Sequence, residues 1–237
     1  KFTPGSNPYG FARDGQWHSL KIPLNRFANT DFRTVHQIFM IAGDAAPAMN
    51  LSIDNAWWET SVARPAPAGG NFGVFTETAG HKNAGEFALG VDGDFFIWAD
   101  TMVPAAQTPF EGIESMSLQA VPGTWFGAAF TPNVKYDLSA FDNPNGKLRF
   151  AMKTSSSVPF KIGMKSGNQD GVGQKWIDFV AGSDPYGFVR DGQWHEIEIP
   201  VSDLVADVDF SQVSQLFQIL GINGAISNIE LDDIHYS

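Results

Sequence analysis

The stretch GSDPYGFVRDGQWHEIEIP, Gly182 to Pro200, decides the fold. In its second half His195, Ile197 and Ile199 alternate with Glu196 and Glu198, the period of a half-buried β-strand. Asp191-Gly192, just before, is a tight-turn pair. The stretch occurs twice: Gly5 to Pro23 reads GSNPYGFARDGQWHSLKIP. The echo continues, with Val35, Gln37, Phe39 and Ile41 repeated as Val213, Gln215, Phe217 and Ile219. Ser52-Ile53-Asp54-Asn55 likewise returns as Glu230-Leu231-Asp232-Asp233, after a one-residue difference between Phe27 and Asp31. A repeat this long is a whole folding unit, well beyond a solenoid period.

The copies are unequal. Residues 71–179 precede the second echo, whereas Lys1 already aligns with Asp178 and Phe2 with Phe179. The expected division is therefore the C-terminal half of one module (1–62), a Pro/Gly linker (63–70) and a complete module (71–237). Arg64-Pro65-Ala66-Pro67-Ala68-Gly69-Gly70 carries no core residues and reads as stiff, then flexible. We expect the chain to be a piece of a longer, multi-module protein.

Period-two alternation recurs in Leu148–Lys153 and Phe160–Lys165. Asn143-Pro144-Asn145-Gly146 and residues 166–171 supply turns between such runs. Strands are expected near 73–78, 86–91, 95–99, 115–120, 125–130, 135–138, 147–154, 160–165, 174–179, 195–200, 215–220 and 228–235. Only residues 209–215 look weakly helical. The fold class is all-β, a two-sheet antiparallel β-sandwich of jelly-roll type.

Composition narrows function. A net charge of -11 argues against nucleic acid and anionic membranes, and no apolar run is long enough to span a bilayer. The absence of cysteine excludes disulfides and thiolate chemistry. Aromatic residues make up 13% and charged residues only 17%, a balance that leans towards a secreted or cell-surface protein.

Phe75-Thr76-Glu77, Trp125-Phe126-Gly127, Phe160-Lys161-Ile162-Gly163, Tyr186 to Trp194 and Leu231-Asp232-Asp233-Ile234 together resemble galactose-binding-like jelly-roll modules. Such modules accompany catalytic domains in secreted bacterial polysaccharide hydrolases. The likeness extends to accessory modules of marine β-glucanases of glycoside hydrolase families 3 and 16. It implies a non-catalytic carbohydrate-binding module that tethers a linked catalytic or binding module to a polysaccharide. A β-glucan is the expected ligand, laminarin-type β-1,3-glucan first. Two alternatives stand beside it: a structural or adhesion spacer, and a jelly-roll lyase or hydrolase.

Sugars bind in water by stacking an apolar pyranose face on an aromatic ring, with polar side chains orienting the hydroxyls. Trp125 shares a strand face with Gly127 and Ala129, so it either forms a platform or caps the core edge. Trp176 alternates with Asp178 on a polar face, and Tyr186 follows Pro185 in a loop. Trp98 shares a face with Phe96 and reads as core. Lys161, Arg190 and Gln218 are the expected polar partners, with Tyr9 and Arg13 as the echoes of Tyr186 and Arg190. The doubled loop itself reads first as a shared folding constraint, with Trp17 and Trp194 pinning a hairpin, and only second as a shared ligand site through Tyr186 and Arg190.

The resemblance also implies a structural calcium between a carboxylate near the first strand and one on the last, here Glu77 and Asp232. Asp92-Gly93-Asp94 lacks EF-hand spacing and reads as a turn. Glu77, Glu86, Glu111 and Glu114 could in principle form a hydrolytic pair, yet none sits in a catalytic motif. The five histidines show no ligand spacing in the sequence.

Overall fold

In a computed structural model of the chain the described residues are 2, 8–23, 26–27, 39–42, 50–54, 56, 69–123, 125–167, 172–222 and 224–237. The chain divides into two compact units, Lys1–Trp57 and Trp58–Ser237.

The second unit is a β-sandwich. One sheet has five strands in the order β3-β6-β11-β8-β9: β3 (Gly93–Ile97), β6 (Trp125–Pro132), β11 (Val213–Ile222), β8 (Phe160–Ser166) and β9 (Gln174–Phe179). The other runs β10-β7-β12-β1-β2: β10 (His195–Pro200), β7 (Lys147–Lys153), β12 (Ile229–Tyr236), β1 (Phe72–Phe75) and β2 (Gly85–Glu86). β5 (Met116–Ala120) also pairs with β12, and β4 (Met102–Pro104) pairs with β5. All pairings are antiparallel except β1 with β2.

Alternation explains the two layers. Phe126, Ala128 and Phe130 of β6 point inward with Phe217 and Ile219 of β11 and with Phe160, Ile162 and Met164 of β8. From the other sheet come Leu148, Phe150, Met152, Ile197, Ile199, Leu231 and Tyr236. Fully burying each of the Leu, Ile, Phe and Met side chains among these contributes about 1.5–3 kcal/mol, so the apolar filling dominates the favourable side of folding.

β12 shows why a strict period-two reading fails near its middle. Ile229 and Leu231 are core residues, and so are Ile234 and Tyr236, a change of parity within one strand. A bulge between Asp232 and His235 absorbs the extra residue, and Asp233 takes φ +49 there. The bulge also splits the edge of β12. β5 pairs with residues 229–231, whereas β1 pairs with 234–236.

Most expected strands are present. Of residues 86–91, Glu86 belongs to the two-residue strand Gly85–Glu86 and Leu89 makes an isolated bridge with Gly93, while Asp92 accepts the Ala88 N–H at 3.0 Å and closes a turn between them. Residues 135–138 form a single bridge from Tyr136 to Val213. β4 was not expected, being short and ending at Pro104, which lacks a ladder donor. The weakly helical stretch contains one 3-10 turn, Phe210–Gln212, with the Asp209 carboxylate accepting from Ser211 N at 2.9 Å.

In the first unit the echoed loop is folded as in the second. Tyr9 and Gly10 take φ of 62° and 76°, and Tyr186 and Gly187 take 55° and 73°. Asp14 accepts the Gln16 N–H and pairs with His18 at 2.7 Å; Asp191 accepts from Gln193 and pairs with His195 at 2.9 Å. Phe11 meets His18, and Phe188 meets His195, edge-on in both. The verbatim repetition therefore encodes a self-contained turn. The expected linker lies outside the described residues except for Gly69 and Gly70.

Candidate functional site

The outer face of the five-stranded sheet is set by register. Phe96 pairs with Ala129, Ala129 with Gln218, Gln218 with Gly163 and Gly163 with Trp176. All five lie on the side away from the core, so one row crosses every strand. At about 4.8 Å per strand, the row is about 19 Å long, room for several pyranose rings in file.

Small residues in this row and the next leave room for rings. The Trp98 ring covers Gly127, where an added Cβ would lie 2.7 Å from Cζ3. The Trp176 ring covers Gly163 in the same way, 2.7 Å from Cε3. Phe96 is 51% exposed and Trp125 37%. Trp98 is thus an outward, half-buried ring and not a core residue. Parity with Phe96 holds, but the face they share is the outward one: Phe95, not Phe96, packs against the core.

Polar groups lie between the rings. Gln218 is fully buried beneath them; its Oε1 accepts from Gln174 Nε2 at 2.8 Å, and its own Nε2 has no partner. Lys161 sits beside this row and pairs with Asp178 at 2.9 Å. The structure therefore brings Trp125, Trp176, Lys161 and Gln218 onto one face and adds Phe96 and Trp98.

Tyr186 and Arg190 are placed elsewhere, in the β9–β10 connection. The Arg190 guanidinium makes a two-pronged pair with Asp184 at 2.8 Å and donates to the Ser156 and Val158 carbonyls. It also lies 4.8 Å from the Phe160 ring centre, so its donors are committed within the fold. The Tyr186 hydroxyl donates to Asp203 at 2.8 Å, and its pKa is pushed up by burial and by that carboxylate. In the first unit Arg13 donates to the Phe2 carbonyl at 3.3 Å, and Tyr9 meets the Phe2 ring edge-on. Trp194 donates to the Thr108 carbonyl at 2.9 Å and packs on Phe110.

The opposite sheet carries a carboxylate-rich patch where β12 splits. The connection from β4 to β5 has few ladder partners, and side chains take up its backbone donors. Thr108 N–H goes to Glu230, Phe110 and Glu111 N–H go to Asp232, and Ile113 and Glu114 N–H go to Glu77. Burial pushes the Asp232 carboxyl up to about 6; the three N–H donors oppose this, and the nearby Glu111 charge adds to it. Burial works against ionised Glu111 too, yet hydrogen bonds from Thr78, Thr76 and the 77–78 backbone hold its pKa below the usual range.

Glu77, Glu86, Glu114 and Asp232 line one cleft of about 220 Å³. Among the described residues, Glu86 alone of these four forms an ion pair, with Lys82. Calcium takes six to eight oxygen ligands. Glu77 and Asp232 would hold it here, but their oxygens accept backbone N–H bonds, and these carboxylates do not gather three ligand atoms within 4.8 Å of one another among the described residues. Glu114 would be a further donor, which its position in the sequence did not single out.

No curated protein matches the chain. The family 30 carbohydrate-binding module of a cellulosomal cellulase of Clostridium thermocellum is 21% identical, with a TM-score of 0.46 over 59% of this chain and 83% of that one. Another solved family 30 module is 18% identical, with a TM-score of 0.46 over 74% and 95%. A family 11 module from Clostridium thermocellum, solved with a β-1,3-1,4-mixed-linked tetrasaccharide, is 18% identical, with a TM-score of 0.41 over 63% and 91%. The family model for carbohydrate binding domain 30 matches residues 75–237, most of the chain and nearly all of the sandwich. The chain belongs to that family of non-catalytic carbohydrate-binding modules.

Proposed function

We propose that the sandwich binds a single β-glucan chain laid across the five-stranded sheet. The row Phe96–Ala129–Gln218–Gly163–Trp176 carries this reading. Rings near both edges offer stacking surfaces, and the small residues between them keep the floor low. β-Linked glucose units hold their hydroxyls equatorial and present flat apolar faces, which suits such rings. A sugar that displaces Gln174 meets both ends of the Gln218 amide, including the donor now without a partner. Lys161 and Asp178 are placed to orient hydroxyls further along.

Trp176, Trp98, Phe96 and Trp125 are the stacking residues in this account, with Gln218 and Lys161 as polar partners. Arg190 and Tyr186, and their echoes Arg13 and Tyr9, hold the doubled turn. Calcium between Glu77 and Asp232 would fix the β4–β5 connection on the other sheet. Linked to a secreted polysaccharide-degrading enzyme, the module would tether that enzyme to its substrate, and a second site in tandem would raise avidity.

Affinity electrophoresis against laminarin, mixed-linked β-glucan, hydroxyethylcellulose, xylan and agarose tests the ligand. Retardation by one or more β-glucans is expected, with laminarin the first choice. Migration unchanged in all five gels would leave only the spacer reading.

A further inference from the structure

The bulge in β12 gathers a second group of donors, chemically unlike the carboxylate cleft beside it. It turns the consecutive residues Asp232 and Asp233 outward, and His235 follows on the same side. His81 approaches from the 3-10 turn Ala79–Lys82, between β1 and β2. One ligand atom from each of His81, Asp233 and His235 lies within 4.8 Å of the other two, the one such group among the described residues.

The geometry is tight. His81 Nδ1 is 2.7 Å and His235 Nδ1 3.3 Å from the same Asp233 Oδ1, to which Thr76 also donates its hydroxyl at 2.8 Å. The two imidazoles stack with centres 4.1 Å apart. Asp233 and His235 are buried, at 5% and 4% exposure, while His81 is half exposed. All three line a cleft of about 60 Å³, with Glu196, Glu198 and Arg149 among the other lining residues. The guanidinium there is held by Glu198 and by Ser237 Oγ.

Ligands around a tetrahedral ion with bonds of about 2.0–2.1 Å are separated by about 3.3 Å. The His235–Asp233 spacing matches this, while the 2.7 Å His81–Asp233 contact and the 2.9 Å contact of His235 Nδ1 with the Asp233 carbonyl are hydrogen bonds that the ion would replace. Imidazole nitrogens favour zinc, copper and nickel, whereas calcium takes oxygen donors. We infer that His81, Asp233 and His235 bind a divalent transition-metal ion of the zinc class, with a fourth position open to the cleft. Binding needs a small rotation of the half-exposed His81 ring out of its stack. The ion would tie the 79–82 turn to the last strand. The first copy has Asn55 and Trp57 where the module has Asp233 and His235, so the donor set belongs to the complete module alone.

The test is a thermal melt and a zinc titration of the whole chain, dialysed against chelator and then supplied with excess calcium. One equivalent of zinc should bind, and Tm should rise by about 5–10 °C at a hundredfold excess over Kd. His81→Ala should abolish that rise; because the half-exposed ring also bonds Asp233 and stacks on His235, the rise is read against the variant's own zinc-free Tm. Asp233→Asn, which keeps a hydrogen-bonding side chain, is the second variant and should also lose the zinc response. Cobalt in place of zinc should give the visible bands of a tetrahedral site. No zinc-dependent shift, or an equal shift in both variants, would overturn the assignment; the latter would mark exposed pairs such as His195–Asp191 as the binders.

Discussion

Trp98 lies flat over Gly127 on the neighbouring strand, so close that a methyl group at Gly127 would sit 2.7 Å from its Cζ3. The pair is repeated across the sheet by Trp176 over Gly163. Each glycine is thus a seat for an indole, and the two seats flank the buried Gln218.

Gly127→Ala should lift the Trp98 ring. Overpacking there should cost about 1–3 kcal/mol of stability. Loss of the ring's stacking geometry should weaken glucan binding by about 1 kcal/mol, roughly fivefold. Calorimetric titration with an oligosaccharide and a urea melt measure the two effects separately.

Gln218→Met places in the module the residue that the first copy carries as Met40. Volume is nearly conserved, and the substitution removes an amide nitrogen that is buried without a partner. Stability should therefore change by less than about 1.5 kcal/mol. Glucan affinity should fall nonetheless, because the amide is the floor's hydrogen-bonding group. Unchanged affinity would show that the rings alone bind the ligand.

Arg190→Ala should act on stability and leave the glycan face alone. It strands the Asp184 carboxylate, 5% exposed, without its counter-charge. Breaking a buried pair from one side costs about 3–5 kcal/mol. A lower urea midpoint with unchanged oligosaccharide affinity below the transition is the expected result.

Calcium removal should lower the melting temperature, and the size of the effect should depend on pH through Asp232. Its folded-state pKa is about 6, above its ordinary value of 3.8. Without calcium the folded protein holds this proton more tightly than the unfolded chain. That contribution is present below pH 4 and is lost as pH rises through 6. Calcium competes with the proton, so its stabilisation should be large at pH 7.5 and shrink by pH 5. Melts with and without chelator at both pH values check this; no chelator effect at pH 7.5 would remove Glu77 and Asp232 as ligands.

The strands of the sandwich were legible because side chains alternate wherever one face is core. Gln174–Phe179 and His195–Pro200 fall at their expected bounds. Alternation also put Trp176 and Gln218 on the outward face. It put Trp98 on the face of Phe96 too, but with Phe95 and Phe96 adjacent it could not tell which of the two faces is core, and that face is the outward one. Nor could it foresee the bulge at Asp233, which reverses the parity of β12 and makes the His81–Asp233–His235 group. The doubled loop suggested a shared ligand, yet its Arg and Tyr hydrogen-bond within the protein. Its repetition reflects the positive φ values and Asp-capped turn that both copies need.

The central claim is that the outer face of the five-stranded sheet holds the glycan. Affinity electrophoresis of Trp176→Ala and Trp98→Ala beside the unaltered chain, in the glucan that retards it most, tests this directly. Each substitution should abolish or sharply reduce retardation while the melting temperature stays within a few degrees, about what a half-exposed ring permits. Full retardation of both variants would contradict the account and place the ligand on another surface.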